Sequence, residues 1–103
     1  MTPEGVVQAH LKRRVSATGG EYRRVKWIGR KGAPDCFVWW PETDRYELVT
    51  AFIEVKKQDG DLSIHQEREI ERMSKANIKV FVVQSKTEVD GLISALTVGR
   101  SNS

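Results

Sequence analysis

Cysteine occurs once in this chain, as Cys36, and histidine only twice, as His10 and His65. A single thiol excludes an internal disulfide framework and any multi-cysteine zinc site. Two histidines are too few for a metal-binding histidine cluster. A metal, if one is used, must then be held by carboxylates, which suits a hard ion such as Mg²⁺ or Mn²⁺ and leaves no small-molecule cofactor indicated. Also missing is any run approaching the ~20 apolar residues of a membrane span. The opening MTPEGVVQAHLKRR has no signal-peptide pattern, so the chain reads as cytoplasmic. Internal repeats, low-complexity tracts and linkers are absent too. One domain is expected over residues 1–97, with a flexible tail at 98–103.

A length of 103 residues supports one core but leaves little surface for wrapping a large substrate, and dimerisation is the natural remedy. With 39% hydrophobic and 30% charged residues, the composition is globular rather than disordered. The net charge of +3 conceals a lopsided distribution. Lys12, Arg13, Arg14, Arg23, Arg24, Lys26, Arg30 and Lys31 face a single acid, Glu21, within residues 12–31, so this window carries +7 and the remainder −4. Such a concentration is the footprint expected of phosphate-backbone binding, although solvated helix ends and strand faces also collect basic residues.

Thr2-Pro3-Glu4 has the form of a helix start, and Val7, Leu11 and Val15 follow at i+4 spacing until Gly19-Gly20. Glu4, three residues before Val7, lies on the inward face of this helix or simply complements its dipole. EYRRVKWI (21–28), DCFVWW (35–40) and residues 48–56 read as three strands of a meander, joined by the basic loop GRKG and the turn PETDRYE. QDGDL turns the chain again. Ser63 caps a helix carrying Ile70 and Met73 and ending near Ala76-Asn77, KVFVVQ (79–84) is a buried-type strand, and Thr87 to Leu96 is a last amphipathic helix. The order α-β-β-β-α-β-α predicts an α/β fold with a mixed four-stranded sheet flanked by helices, its last strand reached by a helical crossover.

The stretch FIEVKKQDG places Glu54 and Lys56 on one face of the third strand, because side chains alternate. Leu48, Thr50 and Phe52 share that face, so the charged pair is expected at the end of a core-like surface. If the hairpin turn centres on Asp44-Arg45, Trp40 faces Val49, Phe37 faces Phe52 and Asp35 faces Glu54. Like charges directly opposite are destabilising in a sheet, which makes sense if a cation lies between them. Pro34 favours a strand start there, and Gly32-Ala33 allow close backbone approach. Asp35 and Glu54, with the Val55 carbonyl and Glu4 from the first helix, would hold a divalent ion suited to phosphodiester hydrolysis, with Lys56 beside it. Gln66 admits two readings: the last member of an S-x-x-Q capping box, or a group facing the site on the same helix face as Ile70 and Met73.

Together GAPD, the hairpin, IEVK and LSIHQ opening a helix resemble the PD-(D/E)XK nuclease superfamily, and within it the VRR-NUC (virus-type replication-repair nuclease) family, from about Glu4 to Leu96. The resemblance implies that Asp35 and Glu54 are metal ligands, Lys56 the catalytic lysine, and Glu4 and Gln66 supporting residues. It further implies a homodimer that cuts branched DNA, above all four-way (Holliday) junctions in DNA repair, and a viral, phage or prophage source.

Two other readings stand beside a Mg²⁺-dependent endonuclease. One is a non-catalytic nucleic-acid-binding subunit, which would not require the acid-lysine triad. The other is a restriction- or flap-type nuclease, although no dedicated base-reading element is evident. Trp27, Trp39 and Trp40 fit core or dimer-interface positions better than stacking on unpaired bases. Cys36 reads as a small buried hydrophobe, and His10 and His65 as surface or capping residues.

Overall fold

The computed structural model describes residues 2–57 and 59–100 and arranges them as α1 (Pro3–Ala17), β1 (Glu21–Arg24), β2 (Cys36–Trp40), β3 (Val49–Val55), α2 (Ile64–Lys75), β4 (Val80–Val83) and α3 (Lys86–Leu96). Each helix starts on the residue its chemistry favours. Thr2, Ser63 and Ser85 accept backbone N–H bonds from Gly5, Gln66 and Glu88 at 3.0, 3.1 and 3.1 Å. None of the described helices is long and apolar enough to cross a membrane.

The four strands lie in chain order in one sheet. β1, β2 and β3 form an antiparallel meander, and β4 joins β3 in parallel after the α2 crossover, which gives the mixed sheet. The hairpin register is the expected one, with Trp40 opposite Val49, Phe37 opposite Phe52 and Cys36 opposite Ile53.

β1 is shorter than the sequence pattern suggests. Its last pair is Arg24 with Cys36, and the Val25 N–H makes one further bond to the Asp35 carbonyl at 2.8 Å. Beyond that point the partner segment runs into Pro34, which has no N–H to give. Trp27 turns its indole N–H to the Pro34 carbonyl at 2.7 Å instead, and Ile28 is left 95% exposed.

The main hydrophobic cluster lies on one face. Cys36, Val38 and Trp40 of β2, Ala51, Ile53 and Val55 of β3 and Val83 of β4 pack against Val7, Leu11 and Val15 of α1 and Val89 and Ile93 of α3. The Trp40 indole N–H is satisfied inside this core by Thr18 Oγ at 3.0 Å. Gly20 lies against the same ring, where an added Cβ would come within 2.7 Å of the indole nitrogen. The face that carries Leu48, Thr50 and Phe52 is therefore not the core-like one: Leu48 is 56% exposed and Thr50 is also open to solvent. Apolar residues alternate on both sides of residues 48–56, so periodicity could not choose between them; α1 and α3 make the choice by covering the other side.

β4 is an edge strand in which only Val83 is fully buried. At the far end of the chain Arg100 donates to the Glu47 and Pro41 carbonyls at 3.1 and 2.6 Å and lies over the Tyr46 ring. Residues 101–103 of the expected tail, and Gln58 in the turn after β3, lie outside the described residues.

Candidate active site

Glu54 occupies the next-to-last position of β3, on the face turned away from the α1–α3 core, yet it is only 9% exposed. The first turn of α2 closes over it. Gln66 Nε2 donates to Glu54 Oε1 at 2.7 Å. The same side chain uses its Oε1 to accept the Ser63 N–H at 2.8 Å, while the Gln66 N–H bonds Ser63 Oγ. The Gln66 amide therefore serves two partners: its oxygen completes the capping box and its nitrogen is left to bond the Glu54 carboxylate.

The register that pairs Cys36 with Ile53 sets Asp35 across from Glu54 at the mouth of the β2–β3 ladder. Burial pushes the Glu54 carboxyl up to about 7, and the neighbouring Asp35 charge adds to this. The Asp35 backbone amide and the Lys56 ammonium pull the other way, and Glu4 raises it further. One carboxyl therefore senses Asp35, Lys56 and Glu4 from three separate segments and bonds Gln66 from a fourth.

Asp35 has its own partners. Arg24 Nη2 lies 3.2 Å from its Oδ2, and the same guanidinium donates to Gln8 Oε1 of α1 at 3.2 Å. Behind it, Cys36 Sγ contacts Asp35 Oδ1 at 3.5 Å and the Tyr22 hydroxyl at 3.4 Å. Cys36 is fully buried and burial pushes its thiol up to about 12, which removes it as a nucleophile. Lys56, two residues beyond Glu54, is held by its N–H bond to the Val83 carbonyl at 2.9 Å. Its side chain borders an open cavity of about 520 Å³ shared with Asp61, Glu67 and Gln84.

Among the described residues, no three His, Cys, Asp or Glu side chains are gathered into a ready-made metal cage. The donor chemistry nevertheless suits a hard divalent ion. A buried carboxylate whose ionisation is opposed by two neighbouring carboxylates is a place where a cation is favourable.

Two further features secure the approach to Asp35. Trp27 holds the Pro34 carbonyl and stacks at a tilt on Phe52, with ring centroids 5.7 Å apart. Gly32, at φ +79°, lies against the start of α2, where an added Cβ would fall 2.4 Å from the His65 carbonyl carbon. Trp40 belongs to the core, whereas Trp27 and Trp39 belong to the opposite face, the latter with Arg23 stacked 4.8 Å above its ring.

The eight basic residues of the 12–31 window do not act alike. Arg14 pairs with Asp90, Arg23 with Glu21, Arg24 with Asp35 and Arg30 with Glu69. Lys12, Arg13, Lys26 and Lys31 are exposed and form no ion pair among the described residues. His10 is no idle surface group; its Nε2 lies 2.7 Å from Asp90 Oδ1 and braces α1 against α3.

Sequence reasoning missed Glu69. It is buried beneath the basic loop, bonded to Arg30 Nε at 2.8 Å and Nη2 at 2.9 Å and to Arg72 Nη1 at 3.0 Å. The Arg30 bonds above all hold its carboxyl down at about 2. Its spacing, three residues after Gln66 and four before Met73, was the available signal for an inward-facing acid.

Comparison with known proteins agrees with this fold. A family model described as the VRR-NUC domain matches residues 4–87. A solved structure described as a VRR-NUC domain superposes with a TM-score of 0.80 at 42% sequence identity, covering 91% of this chain and 97% of the other. No curated protein matches the chain.

Proposed function

The chain belongs to the VRR-NUC family of nuclease-type domains, with DNA as the implied substrate, and from that premise we propose that it is a Mg²⁺- or Mn²⁺-dependent endonuclease acting on branched DNA, with four-way junctions as its main substrate. The observation that carries the proposal is the environment of Glu54: a buried carboxyl, oriented by Gln66, on whose charge Asp35, Glu4 and Lys56 all act.

In this reading Asp35 and Glu54 hold the metal, with the Val55 carbonyl and Glu4 in support. When bound, a divalent ion supplies Lewis acidity toward the scissile phosphate and its attacking water. The protein's own groups do the rest. Gln66 fixes the rotamer of Glu54, so that the carboxylate is placed before substrate arrives. Lys56, on the same sheet face, donates to the phosphate oxygens as charge builds on them, or orients the water. Arg24 neutralises Asp35 while the site is free of substrate.

We assign a homodimer as the working unit, because a two-fold assembly presents two sites to a junction of matching symmetry. The sheet face opposite the core supports it, since Leu48, Ile78 and Trp27 are 56%, 42% and 37% exposed there or at its margin. The test is cleavage of end-labelled four-way junction, flap and linear duplex DNA with Mg²⁺, Mn²⁺ or EDTA, comparing wild type with Lys56→Ala. Metal-dependent cutting of the junction, lost in the variant, is expected. Binding without cutting under every metal condition would contradict the assignment.

A further inference from the structure

On the flank of α2 away from Lys56 lies a second polar concavity, of about 240 Å³, lined by Gly29, Arg30, Lys31, His65, Arg68 and Arg72. Among the described residues, no carboxylate lines it. Three of its members, His65, Arg68 and Arg72, come from outside the basic 12–31 window and are brought there by the fold.

The cleft is built rather than incidental. Glu69, 6% exposed, lies beneath it and grips Arg30 through two parallel bonds and Arg72 through a third. A bidentate carboxylate fixes the plane of a guanidinium as well as its position. Arg30 thereby commits two of its five N–H groups and Arg72 one, so most donors of both remain available. Gly32 seats the loop against the His65 backbone, with no room for a side chain between them. Four cations over one buried carboxylate leave a strong positive excess, and Arg30 and Arg72 are ordered in advance, which lowers the entropy cost of binding an anion.

His65 is the immediate neighbour of Gln66, whose amide touches Glu54. The cleft and the proposed reaction centre therefore share one turn of α2, a rise of about 5 Å. We propose that this cleft binds a backbone phosphate of the DNA, close to the scissile one, so that α2 orients the carboxylate with one side chain and grips the strand with the adjoining flank. The proposal rests on the nuclease reading for its substrate class and extends it to a site of binding.

The test is the affinity of labelled linear duplex and four-way junction DNA, measured in EDTA across a salt series, for wild type, Lys31→Ala/Arg68→Ala and Lys86→Ala. Both residues of the double variant are exposed and form no ion pair among the described residues, so its melting temperature should stay at the wild-type value. Its affinity should fall about tenfold or more, and the slope of log K against log salt should drop by roughly one to two. Lys86→Ala, at the start of α3, should change neither. An affinity within twofold of wild type, or a loss of affinity with an unchanged salt slope, overturns the cleft. If wild type cuts DNA while the double variant binds normally, the cleft fails and the nuclease reading stands. If binding depends on the cleft but nothing is cut under any metal, the cleft stands and the nuclease reading fails. A wild type that binds neither DNA overturns both.

Discussion

The two faces of the sheet obey different rules. Toward α1 and α3, β2 and β3 present Cys36, Val38, Trp40, Ala51, Ile53 and Val55 in one continuous apolar layer, with the Trp40 indole bonded to Thr18. Toward α2, the same strands carry Phe37, Phe52 and Glu54, and beside the buried Met73 α2 adds polar groups: Gln66 on Glu54, and Glu69 holding two arginines. The first face is stabilised by removing apolar area from water. The second depends on each buried polar group having a named partner, because a buried carboxylate without one is costly. Residues 53 to 56 alternate between these regimes at every step, so adjacent substitutions should have opposite consequences.

The sharpest contrast sets Lys56→Ala and Glu54→Gln against Ile53→Ala. Either of the first two should lower cleavage by at least about 100-fold, the scale expected when a group acting on transition-state charge is removed, with the melting temperature little changed. Ile53→Ala should cost about 2–5 kcal/mol of stability by leaving a cavity, while its folded fraction cuts normally. Rate assays beside thermal melts would reveal the crossing, and a Glu54→Gln protein that cuts like wild type would erase the distinction between the faces.

Gly32→Ala probes the seam between the loop and α2. A Cβ there meets the His65 backbone, and the backbone has φ +79°. Cleavage should fall about tenfold, as expected of a small displacement near the chemistry, and limited proteolysis should become faster within residues 25–34. Equal proteolysis rates would mean that the seam is slack.

Glu69→Gln tests whether the polar face responds to pH. The folded carboxyl titrates at about 2 against an ordinary value of 4.5, chiefly because of its Arg30 bonds. Its stabilising contribution is therefore complete above pH 4.5 and disappears as pH falls toward 2. The melting temperature of wild type should exceed that of Glu69→Gln near neutrality, and the gap should close over that acid window. A pH-independent gap would assign the effect to packing.

The smallest effect is expected from Ser63→Ala. Loss of the cap should cost about 1 kcal/mol and leave cleavage within a few fold, since the Gln66 amide nitrogen still reaches Glu54. A large loss of activity in that variant would show that the capping box, rather than the amide itself, positions the carboxylate.

Much of this arrangement was legible from the chain. Pro34, the hairpin turn and the alternation of 35–40 and 49–55 suffice to set Asp35 against Glu54, because register in a hairpin follows from turn position and pleat. The Thr2-Pro3 and Ser63 helix starts are equally local. What was not legible is non-local. Residues 48–56 are apolar on both sides, and only the docking of α1 and α3 decides which side is core. β1 stops at Arg24 because its partner strand runs out at Pro34, not because its own residues disfavour extension. The pairing of Arg30 with Glu69 joins residues 39 apart in sequence, and no periodicity within either segment announces it.

The proposal that Asp35 and Glu54 together hold a divalent cation rests on their opposition at the mouth of the β2–β3 ladder. Its most direct test is calorimetric titration of Mn²⁺ into wild type, Asp35→Asn and Glu54→Gln, each checked for folding by circular dichroism. Saturable binding to wild type is expected, weakened by an order of magnitude or more in either variant. Wild type that binds no Mn²⁺, or binding that both folded variants retain unchanged, would contradict it.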